Sequence, residues 1–81
     1  MQRASATITL CLEKYSPPLY ESLLAELSQP SPKRAQLELE LRGNCLELSF
    51  QANDLGSLRA VINSYLYLVY AMYSSLKALQ E

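Results

Sequence analysis

A side-chain nucleophile needs a base to take its proton, and the usual base is histidine. This chain has no histidine. Ser16, Ser57 and Ser64 therefore lack the partner that a serine hydrolase requires. Cys11 and Cys45 are the only cysteines. They form no CxxC pair, and two sulfurs alone do not make a tetrahedral zinc site. We assign them no chemistry. Glu38, Glu40 and Glu47 could exchange protons in principle, but they alternate along a strand face with no pocket indicated. The residue types thus point to no catalytic group, no metal and no cofactor. Binding is what remains.

Charge narrows the binding classes. The net charge is −1 and the isoelectric point is near 5.4. A self-sufficient nucleic-acid binder usually carries a basic excess. Lys33, Arg34 and Arg42 form the only basic grouping. It reads as solvated surface, with a contribution to RNA inside a larger complex as the alternative.

The chain has 81 residues, which is one domain spanning 1–81. A domain of this size buries only about 60% of its unfolded surface. Burial then barely offsets ordering entropy, so a disulfide, a metal or a partner is often needed. Met1-Gln2-Arg3 leads into an alternating stretch and not into an apolar signal region. The expected location is cytoplasmic, where a disulfide is unusual. A partner chain is the expected source of added stability.

The elements follow from periodicity. From Ala4 to Glu13, Ala6, Ile8, Leu10 and Leu12 fall on one face, which predicts a strand. Ser16-Pro17-Pro18 opens a helix, with Ser16 as N-cap. Leu19, Leu23, Leu24 and Leu27 recur at helical spacing, and the helix should stop before Pro30. Residues 28–33 read as a loop. From Gln36 to Gln51 two alternating runs flank Gly43-Asn44, which predicts a hairpin with a tight turn. A two-residue turn pairs Leu41 with Leu46, Leu39 with Leu48 and Leu37 with Phe50, and sets Glu40 opposite Glu47. Asp54 suits the cap of a long helix from Leu55 to about Leu79. The order strand, helix, hairpin, helix makes an α+β domain in which two helices cover one apolar sheet face.

The last helix carries more apolar surface than one sheet needs. Leu58, Ile62, Tyr65, Val69, Met72, Leu76 and Leu79 form one stripe. Leu66, Tyr67, Leu68, Tyr70 and Tyr73 lie off it. Ala60 to Leu76 holds no charge, yet this is shorter than the roughly 20 apolar residues of a membrane span. The stretch also contains Asn63, three serines and four tyrosines. The first helix can cover part of the excess, and a protein partner the rest, since tyrosine is enriched at interface cores. Arg59 reads as a fork tying the helix to a carboxylate, and Asn63 as a hydrogen-bonding group at the same interface.

The segment Ala52-Asn53-Asp54-Leu55-Gly56-Ser57-Leu58-Arg59-Ala60-Val61-Ile62-Asn63-Ser64-Tyr65-Leu66 resembles the signature of one family. That family is the small dimerisation subunit of the KEOPS complex, also described as CTAG-like or transcription-factor-like. The matching pattern is Ala-x-Asp, then Leu-Arg-Ala, then Asn-Ser-Tyr-Leu, opening the last helix. The preceding hairpin matches in kind. The resemblance implies a three-stranded antiparallel sheet with two helices on one face, and pairing through the sheets into a dimer. It implies that the helical side docks the threonylcarbamoyl-transferase subunit of a complex that makes threonylcarbamoyladenosine in transfer RNA. The small subunit in that family is architectural, helps to hold the RNA and supplies no catalytic residue. Many relatives carry a basic residue after Asn-Ser-Tyr-Leu, where this chain has Tyr67. A diverged paralogue would show this difference, pairing as a heterodimer with a more typical subunit instead of as a homodimer. The expected partner-binding residues are Arg59, Asn63, Leu66, Tyr67, Tyr70 and Tyr73, with transfer RNA met only within the complex. The competing expectation is a stand-alone small RNA-binding module, which should show base-stacking aromatics and a basic surface.

Overall fold

The computed structural model describes residues 3–27 and 35–80. The predicted loop over 28–33, with Lys33 and Arg34, lies outside the described residues. Strand β1 is Ala4–Cys11, helix α1 is Ser16–Leu27, strands β2 and β3 are Ala35–Arg42 and Cys45–Ala52, and helix α2 is Leu55–Gln80. The three strands form an antiparallel sheet in the order β1-β3-β2. The architecture is α+β, with the two helices packed against the sheet.

The hairpin register is the one that the alternation predicts: Leu41↔Leu46, Leu39↔Leu48, Leu37↔Phe50 and Glu40↔Glu47. Gly43 takes a φ of 59°, the conformation at which glycine has no Cβ penalty. Asn44 stays at negative φ, so one glycine carries the turn. β3 is central and receives both neighbours. Its core-facing side chains Leu46, Leu48 and Phe50 are fully buried, and Ala52 nearly so. Leu19, Leu23, Leu58 and Val69 from the helices complete this cluster. The edge strands are less covered: Ala6, Ile8, Leu10, Leu37 and Leu39 are half-buried against it.

The structure corrects three expectations at the end of β1. The strand stops at Cys11, and Glu13–Tyr15 forms a short 3₁₀ turn. Glu13 sits at φ 53°, which costs a non-glycine residue about 1–2 kcal/mol and reverses the chain toward α1. Ser16 is no N-cap of the ordinary kind. It is fully buried, its hydroxyl donates to the Asn44 carbonyl oxygen at 2.7 Å and accepts from the Leu12 amide at 3.2 Å. The start of α1 is thereby tied to the hairpin turn.

The third correction is covalent. Cys11 and Cys45 face each other in the β1–β3 register and form a disulfide. The sequence gives the hairpin register directly, but no turn joins β1 to β3, so this pairing is invisible before the sheet is assembled. A crosslink across 34 positions removes roughly 3–4 kcal/mol of denatured-state freedom in the chain-entropy account. The domain thus has a staple of its own.

Two predicted core leucines are surface residues. Leu24 is 41% exposed, on the side of α1 away from the sheet. Leu79 is 83% exposed because α2 outruns the sheet: 26 residues extend about 39 Å at ~1.5 Å each. Strands of eight residues reach about 26 Å.

Truncating Phe50 to alanine should cost about 3–5 kcal/mol, as for other fully enclosed aromatic side chains. Ser16→Ala should cost about 1–3 kcal/mol, because it leaves an amide and a carbonyl with no partner. Urea unfolding followed by far-ultraviolet circular dichroism measures both.

Candidate partner-docking face

Helix α2 begins at a well-made cap. The Asp54 carboxylate accepts from the Ser57 amide at 2.7 Å and from the Ser57 hydroxyl at 3.2 Å. The Leu58 amide donates to the Asp54 carbonyl at 3.0 Å. An anion at the N-terminus and Lys77 in the last turn both suit the helix dipole.

At about 100° per residue, the side chains of α2 sort into two arcs. Leu58 and Val69 are buried, and Ile62, Tyr65, Met72 and Leu76 are half-buried on the sheet side. Leu68 and Val61 also pack against the core, so the covered stripe is wider than the predicted one. Tyr65 meets Phe50 at 6.2 Å between ring centroids.

The opposite arc holds four of the six expected partner-binding residues, Arg59, Asn63, Tyr67 and Tyr70. Tyr67 and Tyr70 are 77% and 70% exposed, and Arg59 and Asn63 are exposed beside them. Leu66 and Tyr73 lie at the boundary of the two arcs and are half-buried. Between the tyrosines and along the helix lie small side chains, Ala60, Ser64, Ala71, Ser74 and Ser75, all exposed. Asn63, Ser64, Tyr67, Leu68 and Ala71 line a shallow depression there. From Ala60 to Leu76 the helix has no charged side chain on any side. Among the described residues no carboxylate pairs with Arg59.

Tyr73 has a partner that periodicity does not reveal. Its ring meets Tyr15 edge to face at 5.3 Å, a favoured aromatic geometry. Lys77 lies 6.0 Å from the Tyr73 ring and Lys14 lies 5.4 Å from the Tyr15 ring, within cation–π range. The 3₁₀ turn and the far end of α2 are joined here. Lys14 and Tyr15 carry no spacing signal in the sequence, because their position depends on the reversal at Glu13.

The outward sheet face is polar. Thr7 and Ser49 approach at 3.5 Å across β1 and β3. Glu40 and Glu47 are directly opposite, and Arg42 relieves them. Its guanidinium donates to the Glu40 carboxylate at 2.8 Å. Hydrogen bonding to Glu40, then the charges of Glu40 and Glu47, raise the Arg42 pKa above its ordinary value. Of the grouping Lys33, Arg34 and Arg42, the described member is thus engaged with a neighbour on its own strand. Among the described residues, no three His, Cys, Asp or Glu side chains gather into a metal site. No described helix is long and apolar enough to cross a membrane.

The profile of the family described as transcription factor Pcc1 matches residues 3–77. The chain belongs to the Pcc1 family. These are subunits of KEOPS, and in this member the signature segment builds the Asp54 cap and the opening turns of the final helix. Among curated proteins, none matches the chain. Pcc1 proteins form a family of non-catalytic subunits.

Replacing Asp54 by alanine should destabilise the domain by about 1 kcal/mol, as loss of an N-cap does. Tyr67→Ala and Tyr70→Ala should each shift stability by less than about 0.5 kcal/mol, because neither ring is enclosed by its own chain. Denaturant midpoints at constant slope separate the two cases.

Proposed function

We propose that this Pcc1-family chain is a non-catalytic structural subunit of KEOPS that docks the threonylcarbamoyl-transferase subunit through the outward face of α2. One observation carries the reading: Tyr67 and Tyr70 stand in solvent, 77% and 70% exposed, on a helix that is uncharged from Ala60 to Leu76. A surface helix of a soluble domain normally carries charge on that face. Exposed tyrosines among alanine and serine let another helix approach closely and give it large, rigid side chains to pack on. Arg59 at one end of the face supplies a fork for a carboxylate of the partner, and Asn63 supplies an amide.

The sheet pairs with a second small subunit in this reading, either a copy of the chain or a paralogue, and the latter is favoured by the aromatic Tyr67 in a position that is often basic in relatives. The assembly forms threonylcarbamoyladenosine in transfer RNA in the cytoplasm. This chain meets the RNA only within the complex, through the basic grouping Lys33, Arg34 and Arg42, of which Arg42 is already paired with Glu40. The rival reading, a stand-alone RNA-binding module, is disfavoured by the outward sheet face. That face carries Glu38, Glu40 and Glu47 and no aromatic side chain.

Tyr67→Asp with Tyr70→Asp should leave the circular dichroism of the chain intact and weaken co-elution with the transferase subunit by roughly 100-fold or more, as loss of two hot-spot rings does. Undiminished co-elution sinks the docking assignment. Tight binding of transfer RNA by the purified chain alone would replace it with the rival reading.

A further inference from the structure

We propose that the Cys11–Cys45 disulfide is a redox-responsive lock on the corner between β1 and α1, and that its oxidation state sets how firmly the far turns of α2 are held. Three separate ties converge on that corner. The disulfide joins the last residue of β1 to the first of β3. Ser16 bridges the Leu12 amide and the Asn44 carbonyl. Tyr15 holds Tyr73 on α2 at 5.3 Å. Only residues 12–15 separate the sulfur from the serine, and they turn through Glu13 at φ 53°.

The placement of the two sulfurs makes the tie reversible without dismantling the core. Cys11 and Cys45 project from the outward, polar face of the sheet, opposite to the face that packs Leu46, Leu48 and Phe50. Cys11 is exposed and Cys45 half-buried, so a small dithiol reductant reaches the pair. Its thiolate attacks the Cys11 sulfur and the Cys45 sulfur leaves as a thiolate. The second thiol of the reductant then attacks the mixed disulfide and releases Cys11. Two electrons and two protons pass to the pair, and the reductant becomes a disulfide.

Without the covalent bond, the end of β1 is held at an edge of the sheet by its ladder pairing and by the Ser16 bridge alone. The turn carrying Tyr15 then loses the covalent tie at its start. The last turns of α2 outrun the sheet, and Leu79 is 83% exposed; beside the packing of Met72 and Leu76 on the core, the Tyr15–Tyr73 contact ties them to the rest of the domain. The lock follows from the fold and does not depend on which partner occupies α2.

Hydrogen exchange on the whole chain, read by mass spectrometry, tests it, with alkylation counting free thiols in each sample. In the sample prepared without reductant, no thiol should react. Dithiothreitol should expose two thiols and speed exchange about tenfold or more over residues 12–16 and 73–79. Residues 37–51 should stay within about threefold. The variant with Cys11→Ser and Cys45→Ser should show the fast pattern with and without dithiothreitol. Tyr15→Leu should release residues 73–79 with the disulfide intact. Two reactive thiols before reduction overturn the proposal. So does identical exchange in the oxidised and reduced chain, or a uniform acceleration that includes residues 37–51.

Discussion

Strand β3 lies between β1 and β2, so each of its core-facing side chains is flanked on both sides and roofed by a helix. Leu46, Leu48 and Phe50 are completely buried, whereas their neighbours on the edge strands are only half-covered. The domain is too small to bury a second layer, and its apolar free energy is therefore concentrated in this one row. Everything else is arranged relative to it. α1 delivers Leu19 and Leu23, and α2 delivers Leu58 and Val69. A central strand that is reached last in sequence and flanked by an earlier, non-adjacent strand also shows what the covalent tie at β1 spans. β1 is brought home by no hairpin, and its pairing with β3 closes a loop of more than 30 residues.

The same geometry decides which surface of α2 is left over. A helix laid on a sheet turns a limited arc inward, and the sheet here is three strands wide. Side chains at the centre of the arc vanish from solvent, those at its margins are half-covered, and those opposite have nothing above them. Tyr67 and Tyr70 fall opposite. Tyr73 falls at the margin and is claimed by Tyr15. The helix therefore separates into a half that organises its own domain and an exposed, aromatic half that is uncharged between Arg59 and Lys77. Charge is spent elsewhere, on the outward sheet face, where Arg42 balances Glu40 and Glu47. The two broad surfaces of the domain thus differ in kind, one suited to apolar contact and the other to water or a polar neighbour.

Sequence alone determined the element order, the hairpin register, the Asp54 cap and the apolar excess of the final helix. Each is a local property. Alternation of period two fixes the strand faces, Gly43 fixes the turn and with it every pair from Leu41↔Leu46 to Leu37↔Phe50, and an acidic residue before a helical run fixes the cap. The family pattern from Ala52 to Leu66 was also legible, because it is contiguous. Only the tertiary structure decided the Cys11–Cys45 bond, the bridge through Ser16, the contact of Tyr15 with Tyr73 and the exposure of Leu24 and Leu79. These depend on which strand lies beside β3, on the reversal at Glu13 and on the length of α2 relative to the sheet. None of those is encoded within one turn or one hairpin of the chain. They emerge when elements distant in sequence are packed against a common row of buried side chains.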